Sequence, residues 1–83
     1  MMEQIDFYHL VRDKNYVVLK SFTDFYGSNI TAGEKLIFVE QHFLPYDGGH
    51  TLVFRERKMY LQETEQREII DNFPDYLAFA LND

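Results

Sequence analysis

The sequence predicts a mainly β fold with a C-terminal helix. Three observations carry that reading. Residues 35–54 form two apolar runs joined by one proline- and glycine-containing connection. A further apolar run, rich in residues that favour a pleated backbone, opens at Tyr16. Near the C-terminus Ile69, Phe73, Leu77 and Leu81 recur every fourth residue, with Ile70 and Ala80 widening the stripe, as on an amphipathic helix.

Taken in order, residues 4–11 mix apolar and polar positions, with a short helical turn expected from Asp6 and a polar turn at residues 13–15. The first strand is expected over about 16–22. Residues 23–34 make a long connection, with an Asx-type turn former at Asp24, Ile30 as its anchor and a tight turn at 31–34. The central strand spans about 35–42. Alternation puts Leu36 and Phe38 on one face and Ile37 and Val39 on the other, so cover is expected on both sides. Pro45 marks the end of this strand, and Asp47-Gly48-Gly49 supplies residues that tolerate positive φ, for a loop of about five to eight residues. The returning strand, about 51–56, has Leu52 and Phe54 on one face; after a reversal near Glu56-Arg57 a last strand covers 58–62. Thr64 is the expected N-cap of a helix over about 65–81, kinked near Asn72-Phe73 because Pro74 removes a helical bond. The long first connection followed by Ala32-Gly33-Glu34-x-Leu36-x-Phe38 points to a small SH3-like antiparallel barrel. The alternative is an α+β arrangement, an antiparallel sheet with one helix packed on it.

The 83 residues are enough for one domain, 1–83. Eight Phe and six Tyr give a small core the apolar weight it needs and argue against disorder. Cysteine is absent, which fits a reducing, cytoplasmic setting. No apolar run approaches the ~20 residues that span a bilayer, and the N-terminus lacks the basic and apolar regions of a secretion signal. The doubled Met at the start reads as a start-site detail. The net charge is −6, concentrated at the end: residues 63–83 hold six acidic residues and one basic. Nucleic-acid binders do the reverse, so neither nucleic acid nor an anionic membrane is an expected partner.

No catalytic signature is present, and an enzyme is not expected. The Ser and Thr residues sit in no nucleophile arrangement, and Gly48-Gly49 alone is turn chemistry. His9, His42 and His50 do not have metal-ligand spacing; His42, Asp47 and His50 flank one loop, but ordinary loop and strand histidines are the simpler reading. Asp71 and Asp75 read as a solvated acidic face. Neither metal nor cofactor is expected. The candidate binding residues are Phe25 and Tyr26 on the first connection, and His42, Phe43, Tyr46 and Asp47 around the second. In an SH3-like barrel these connections lie side by side, and exposed aromatics there would form a groove for a protein partner. The plainer alternative is that Phe25 and Phe43 plug the barrel ends while the tyrosines cover them.

The chain also resembles a family of small uncharacterised bacterial proteins, a domain of unknown function. The matching residues are His9-Leu10-Val11, Tyr16-x-Val18-x-Lys20-x-Phe22-x-Asp24, Gly33-Glu34, Phe38, Phe43-Leu44-Pro45-Tyr46-Asp47-x-Gly49, Leu61-Gln62 and Ile69-Ile70-Asp71. Phe-Leu-Pro-Tyr-Asp is the most specific part. Asp13 stands where the resemblance implies a turn glycine, and Pro74 where it implies an unbroken helix. The resemblance implies bacterial origin and fold, and no assigned activity. Three functions are therefore carried forward. The first is a small interaction module using the aromatic loops. The second is an acidic immunity or inhibitor protein for a basic partner. The third is a small-molecule or carbohydrate-binding domain with a pocket of Tyr26, His42 and Tyr46. An open sheet edge would let two chains pair, so monomer and homodimer are both compatible with the sequence.

Overall fold

The computed structural model describes residues 5–80. The sequence readings of Met1, Met2 and Leu81 lie outside them. Within that span the protein is built on a five-stranded antiparallel sheet of order β6-β5-β4-β1-β7. Its strands are β1 (Asn15–Val18), β4 (Lys35–Leu44), β5 (Gly49–Phe54), β6 (Lys58–Gln62) and β7 (Leu77–Phe79). A two-stranded ribbon, β2 (Phe22–Thr23) with β3 (Asn29–Ile30), fills the first long connection. The helical content is α1 (Arg67–Asp71) and a 3-10 turn, Phe73–Asp75.

The sheet is open, with β6 and β7 at its edges, so the closed SH3-like barrel is not formed. The architecture fits the α+β alternative. The physical reason lies in β2 and β3, which are two residues each and cannot carry a ladder from β6 round to β7. The loop between them still covers the β6 edge. Phe25 N–H donates to the Tyr60 carbonyl at 2.7 Å, and Tyr60 N–H donates to Asp24 Oδ2 at 3.1 Å.

Side-chain alternation sets the core. Tyr16 and Val18, Leu36 and Phe38, Leu52 and Phe54, and Met59 and Leu61 all point to one face and are buried. Ile5, Phe7, Ile30, Ile70, Phe73 and Tyr76 join them in the same cluster. Truncating one of these, such as Leu52, to alanine costs about 2–5 kcal/mol. The opposite face carries Val17, Ile37, Val39 and Val53, which are only half-buried. Cover on both sides of the central strand was expected; the buried cluster lies on the Leu36 and Phe38 face, while Ile37 and Val39 on the other face stay half-buried.

Strand β4 contains a bulge. Phe38 faces Phe54, but Glu40 faces Val53 and Gln41 faces Leu52, so Val39 is the extra residue. The bulge resets the alternation. Phe38 and Phe43, five apart, would lie on opposite faces of a regular strand; here both lie on the inner one, paired with Phe54 and His50. The strand then runs two residues past its expected end at 42, and β5 starts two before 51. The connection shrinks to residues 45–48, below the expected five to eight. Asp47 N–H and Gly48 N–H both donate to the Leu44 carbonyl, and Gly48 takes φ 71°, the left-handed conformation that favours glycine.

The expected helix over 65–81 is corrected. It breaks into α1, the 3-10 turn and strand β7, which pairs with β1 through Val17↔Ala78 and its neighbours. Gln66, not Thr64, is the N-cap residue, and it makes no side-chain cap bond. Pro74 sits in the first turn of the 3-10 segment, where its missing N–H is not needed. Likewise the first strand stops at Val18, not 22; Leu19 N–H makes the last bond toward β7, to the Tyr76 carbonyl at 2.7 Å, and Phe22 and Thr23 pair with β3 instead.

Candidate functional site

Two neighbouring clefts, on opposite faces of the β4–β5 ladder, contain the candidate chemistry. The first has a volume of about 220 Å³ and is lined by Phe25, Tyr26, Leu44, Asp47, Thr51 and Tyr60, among others. Thr51 and Tyr60 face each other across β5 and β6 on the outer face. The β2–β3 loop supplies one wall. Asp24, buried at 4% exposure, accepts from Tyr26 N–H (3.0 Å) and Ser28 N–H (2.9 Å) through Oδ1, which closes that loop. Tyr26 then packs edge-on against Tyr60, with ring centroids 4.8 Å apart, and against Phe25 at 5.2 Å. Asp47 Oδ1 accepts from Gly49 N–H at 3.0 Å and so fixes the opposite rim.

The second cleft, about 290 Å³, is lined by Tyr8, Gln41, Phe43, His50 and Glu63. It exists because the bulge brings Gln41 and Phe43 to the inner face beside His50. His50 is 4% exposed and stacks on Phe43 (4.5 Å, 24°), with Phe7 edge-on at 4.9 Å. His50 Nε2 lies 3.2 Å from Glu63 Oε2; donating to that carboxylate leaves Nδ1 as the bare ring nitrogen, buried and without a hydrogen-bond partner. The Tyr8 hydroxyl donates to the same Glu63 oxygen at 3.5 Å. Burial, then the Glu63 charge, push the Tyr8 phenol above its ordinary pKa, which keeps it a donor.

Of the residues named from sequence, Phe25, Tyr26 and Asp47 meet in the first cleft and Phe43 lines the second. The first connection and the hairpin turn thus flank one cleft. Phe25 and Phe43 are substantially exposed and do not act as plugs. His42 and Tyr46 line neither cleft. His42 points to the outer face, where Nε2 meets Glu40 at 3.0 Å, while His50 points inward, so the two do not converge with Asp47. Tyr46 projects into solvent at 87% exposure. Among the described residues no group of three or more His, Asp or Glu is arranged to hold a metal. No helix among the described residues is long and apolar enough to cross a membrane. Sequence reasoning missed Tyr60, Tyr8, Gln41 and Glu63 and left His50 without a role. The alternation of β6 does put Tyr60 on the face away from Met59 and Leu61, a signal that could have added it to the site; only the bulge places Gln41.

These features define a small antiparallel-sheet protein with two aromatic-walled clefts. The chain belongs to the family described as Domain of unknown function (DUF3601), whose model matches residues 1–78. It is also similar to a solved structure, an integron cassette protein from the mobile metagenome of Vibrio cholerae. The two are 28% identical over 86% of this chain and 88% of that one, with a TM-score of 0.81. No curated protein matches the chain.

Proposed function

We propose that the protein is a small bacterial interaction module that holds a protein partner at its aromatic loops. The observation that carries this reading is the meeting of Phe25 and Tyr26 with Leu44 and Tyr60, from three distant parts of the sequence, around one cleft. Tyr26 stays 70% exposed while its ring is propped against Tyr60. Exposed tyrosines held by a neighbouring ring are the kind of anchor that dominates interface energetics. A volume of about 220 Å³ is below the usual ligand site of about 300–1,000 Å³, which favours a partner's side chain over a small molecule or carbohydrate. The cassette protein of Vibrio cholerae supports bacterial origin, and the cysteine-free composition supports a reducing, cytoplasmic setting.

The test is affinity capture from the source cell with wild type, Tyr26→Ala and Leu19→Ala, the last an exposed apolar residue outside the cleft. A partner retained by wild type and Leu19→Ala but lost by Tyr26→Ala supports the reading. Identical partner sets for all three would overturn it.

A second reading, an acidic immunity or inhibitor protein for a basic partner, draws on the net charge of −6 and its concentration in residues 63–83. It predicts binding that weakens steeply with salt and a neighbouring gene for a basic secreted protein. Salt-insensitive binding, or no such neighbour, counts against it.

A further inference from the structure

The geometry points to the cleft of Tyr8, Gln41, Phe43, His50 and Glu63 as a binding site for a guanidinium group. Three of its walls are aromatic: Tyr8 and Phe43, both about half exposed, stand beside the His50 ring. Aromatic faces attract organic cations through the ring quadrupole. Glu63 adds a carboxylate. Its Oε2 is held by His50 Nε2 and the Tyr8 hydroxyl, while Oε1 accepts no hydrogen bond among the described residues. The Gln41 carboxamide likewise makes none there. A flat cation with donors around its edge can satisfy both acceptors while its faces lie against rings; a lysine ammonium, a hydrated point charge, gains less from that arrangement.

The role of His50 supports a ligand site. Its Nδ1 is buried without a hydrogen-bond partner, which costs stability. What the imidazole supplies instead is the Nε2 contact that orients Glu63 at the rim. The protein's own nearby cation does not occupy the cleft: Arg67 Nη1 is directed to Asp71 at 3.6 Å. The volume suits one side-chain head. The site does not rest on the aromatic-loop reading, since His50 alone lines both clefts.

The test is a two-dimensional NMR titration of the intact protein with ethylguanidinium, ethylammonium and a capped Gly-Arg-Gly peptide. Saturable shifts centred on Tyr8, Gln41, Phe43 and His50 are expected, at millimolar concentration as for any fragment of this size. Glu63→Gln keeps the shape and an acceptor for His50, yet should weaken ethylguanidinium by about tenfold. Gln41→Met should weaken it several-fold, and Leu19→Ala, exposed and lining neither cleft, should leave it unchanged. Tighter binding of the peptide identifies a protein partner's arginine as the source; equal binding identifies a free guanidine. Equal shifts by ethylammonium, shifts scattered over the surface, or wild-type affinity in a folded Glu63→Gln protein would each overturn the assignment.

Discussion

The buried Asp24 carboxylate accepts the backbone N–H of Tyr60 at 3.1 Å, thirty-six residues away in sequence. The same side chain accepts Tyr26 and Ser28 N–H through its other oxygen. One carboxylate thus folds the β2–β3 loop and docks it on the edge of β6. Asp24→Ala leaves three donors without their acceptor. Unsatisfied groups cost about 1–3 kcal/mol each and do not add, so a loss of about 3 kcal/mol is expected by urea denaturation. Asp24→Asn, which keeps one acceptor, should lose about half as much. A change below about 0.5 kcal/mol in Asp24→Ala, the size of an ordinary surface substitution, would refute the role.

Asp13 has φ 68°, the only described non-glycine residue in the left-handed region. That conformation costs a side-chain-bearing residue about 1–2 kcal/mol, less for aspartate than for most. Its compensation is small: Arg55 Nη2 lies 3.5 Å away, and both side chains are exposed. The turn is held by backbone instead, with Asp13 N–H donating to the Phe38 carbonyl at 2.9 Å. Asp13→Gly should therefore stabilise the protein by about 0.5–1 kcal/mol, and Asp13→Val should destabilise it. Thermal melts of both variants against wild type check the order.

Val39 is the residue the β4–β5 ladder does not need. Deleting it brings Glu40 opposite Val53 in a regular strand and leaves Phe43 opposite His50. The deletion should fold, with a moderate loss from altered twist. Deleting Gln41 also closes the bulge with Phe43 opposite His50, but it brings Glu40 opposite Leu52 on the inner face, where an unpaired carboxylate is costly. The Phe43–His50 ring contact, followed by NMR, should survive the Val39 deletion, and urea denaturation should show the Gln41 deletion to be clearly less stable; equal stability of the two would refute the register.

How far the sequence reveals this molecule depends on the kind of signal. β6 at Lys58–Gln62 matches its expected range, because Met59 and Leu61 alternate with Tyr60 and nothing interrupts them. The turns at Asp24 and Thr31 were legible from local chemistry: Thr31 N–H donates to Glu34 Oε2 at 2.7 Å as the tight turn closes. The C-terminal helix was not legible. Ile69, Phe73 and Leu77 do face one core, but from a helix, a 3-10 turn and a strand in succession. A four-residue spacing cannot separate those cases once Pro74 breaks the helix. The second cleft was hidden for a related reason: a one-residue bulge inverts every later assignment of face, and no residue type announces it.

Tyr16 gives the protein an alkaline limit. Its side chain is fully buried, its ring stacks on Phe79 at 5.2 Å, and its hydroxyl oxygen accepts Val11 N–H at 2.8 Å. Burial raises the phenol above its ordinary value of 10.0; the Val11 bond, which favours the phenolate, offsets only part of that. An unfolded tyrosine therefore loses its proton at lower pH than the folded one. The stabilisation is complete below pH 10.0 and disappears as pH rises through the folded value. Tyr8 shifts in the same direction and adds to the slope. Tyr16→Phe should lose about 1–2 kcal/mol near pH 7, where Val11 N–H is left unpaired, yet decline less steeply above pH 10. Urea midpoints of the two proteins should converge as pH is raised from 8 to 11; parallel curves would show that the buried phenol does not titrate differently on folding.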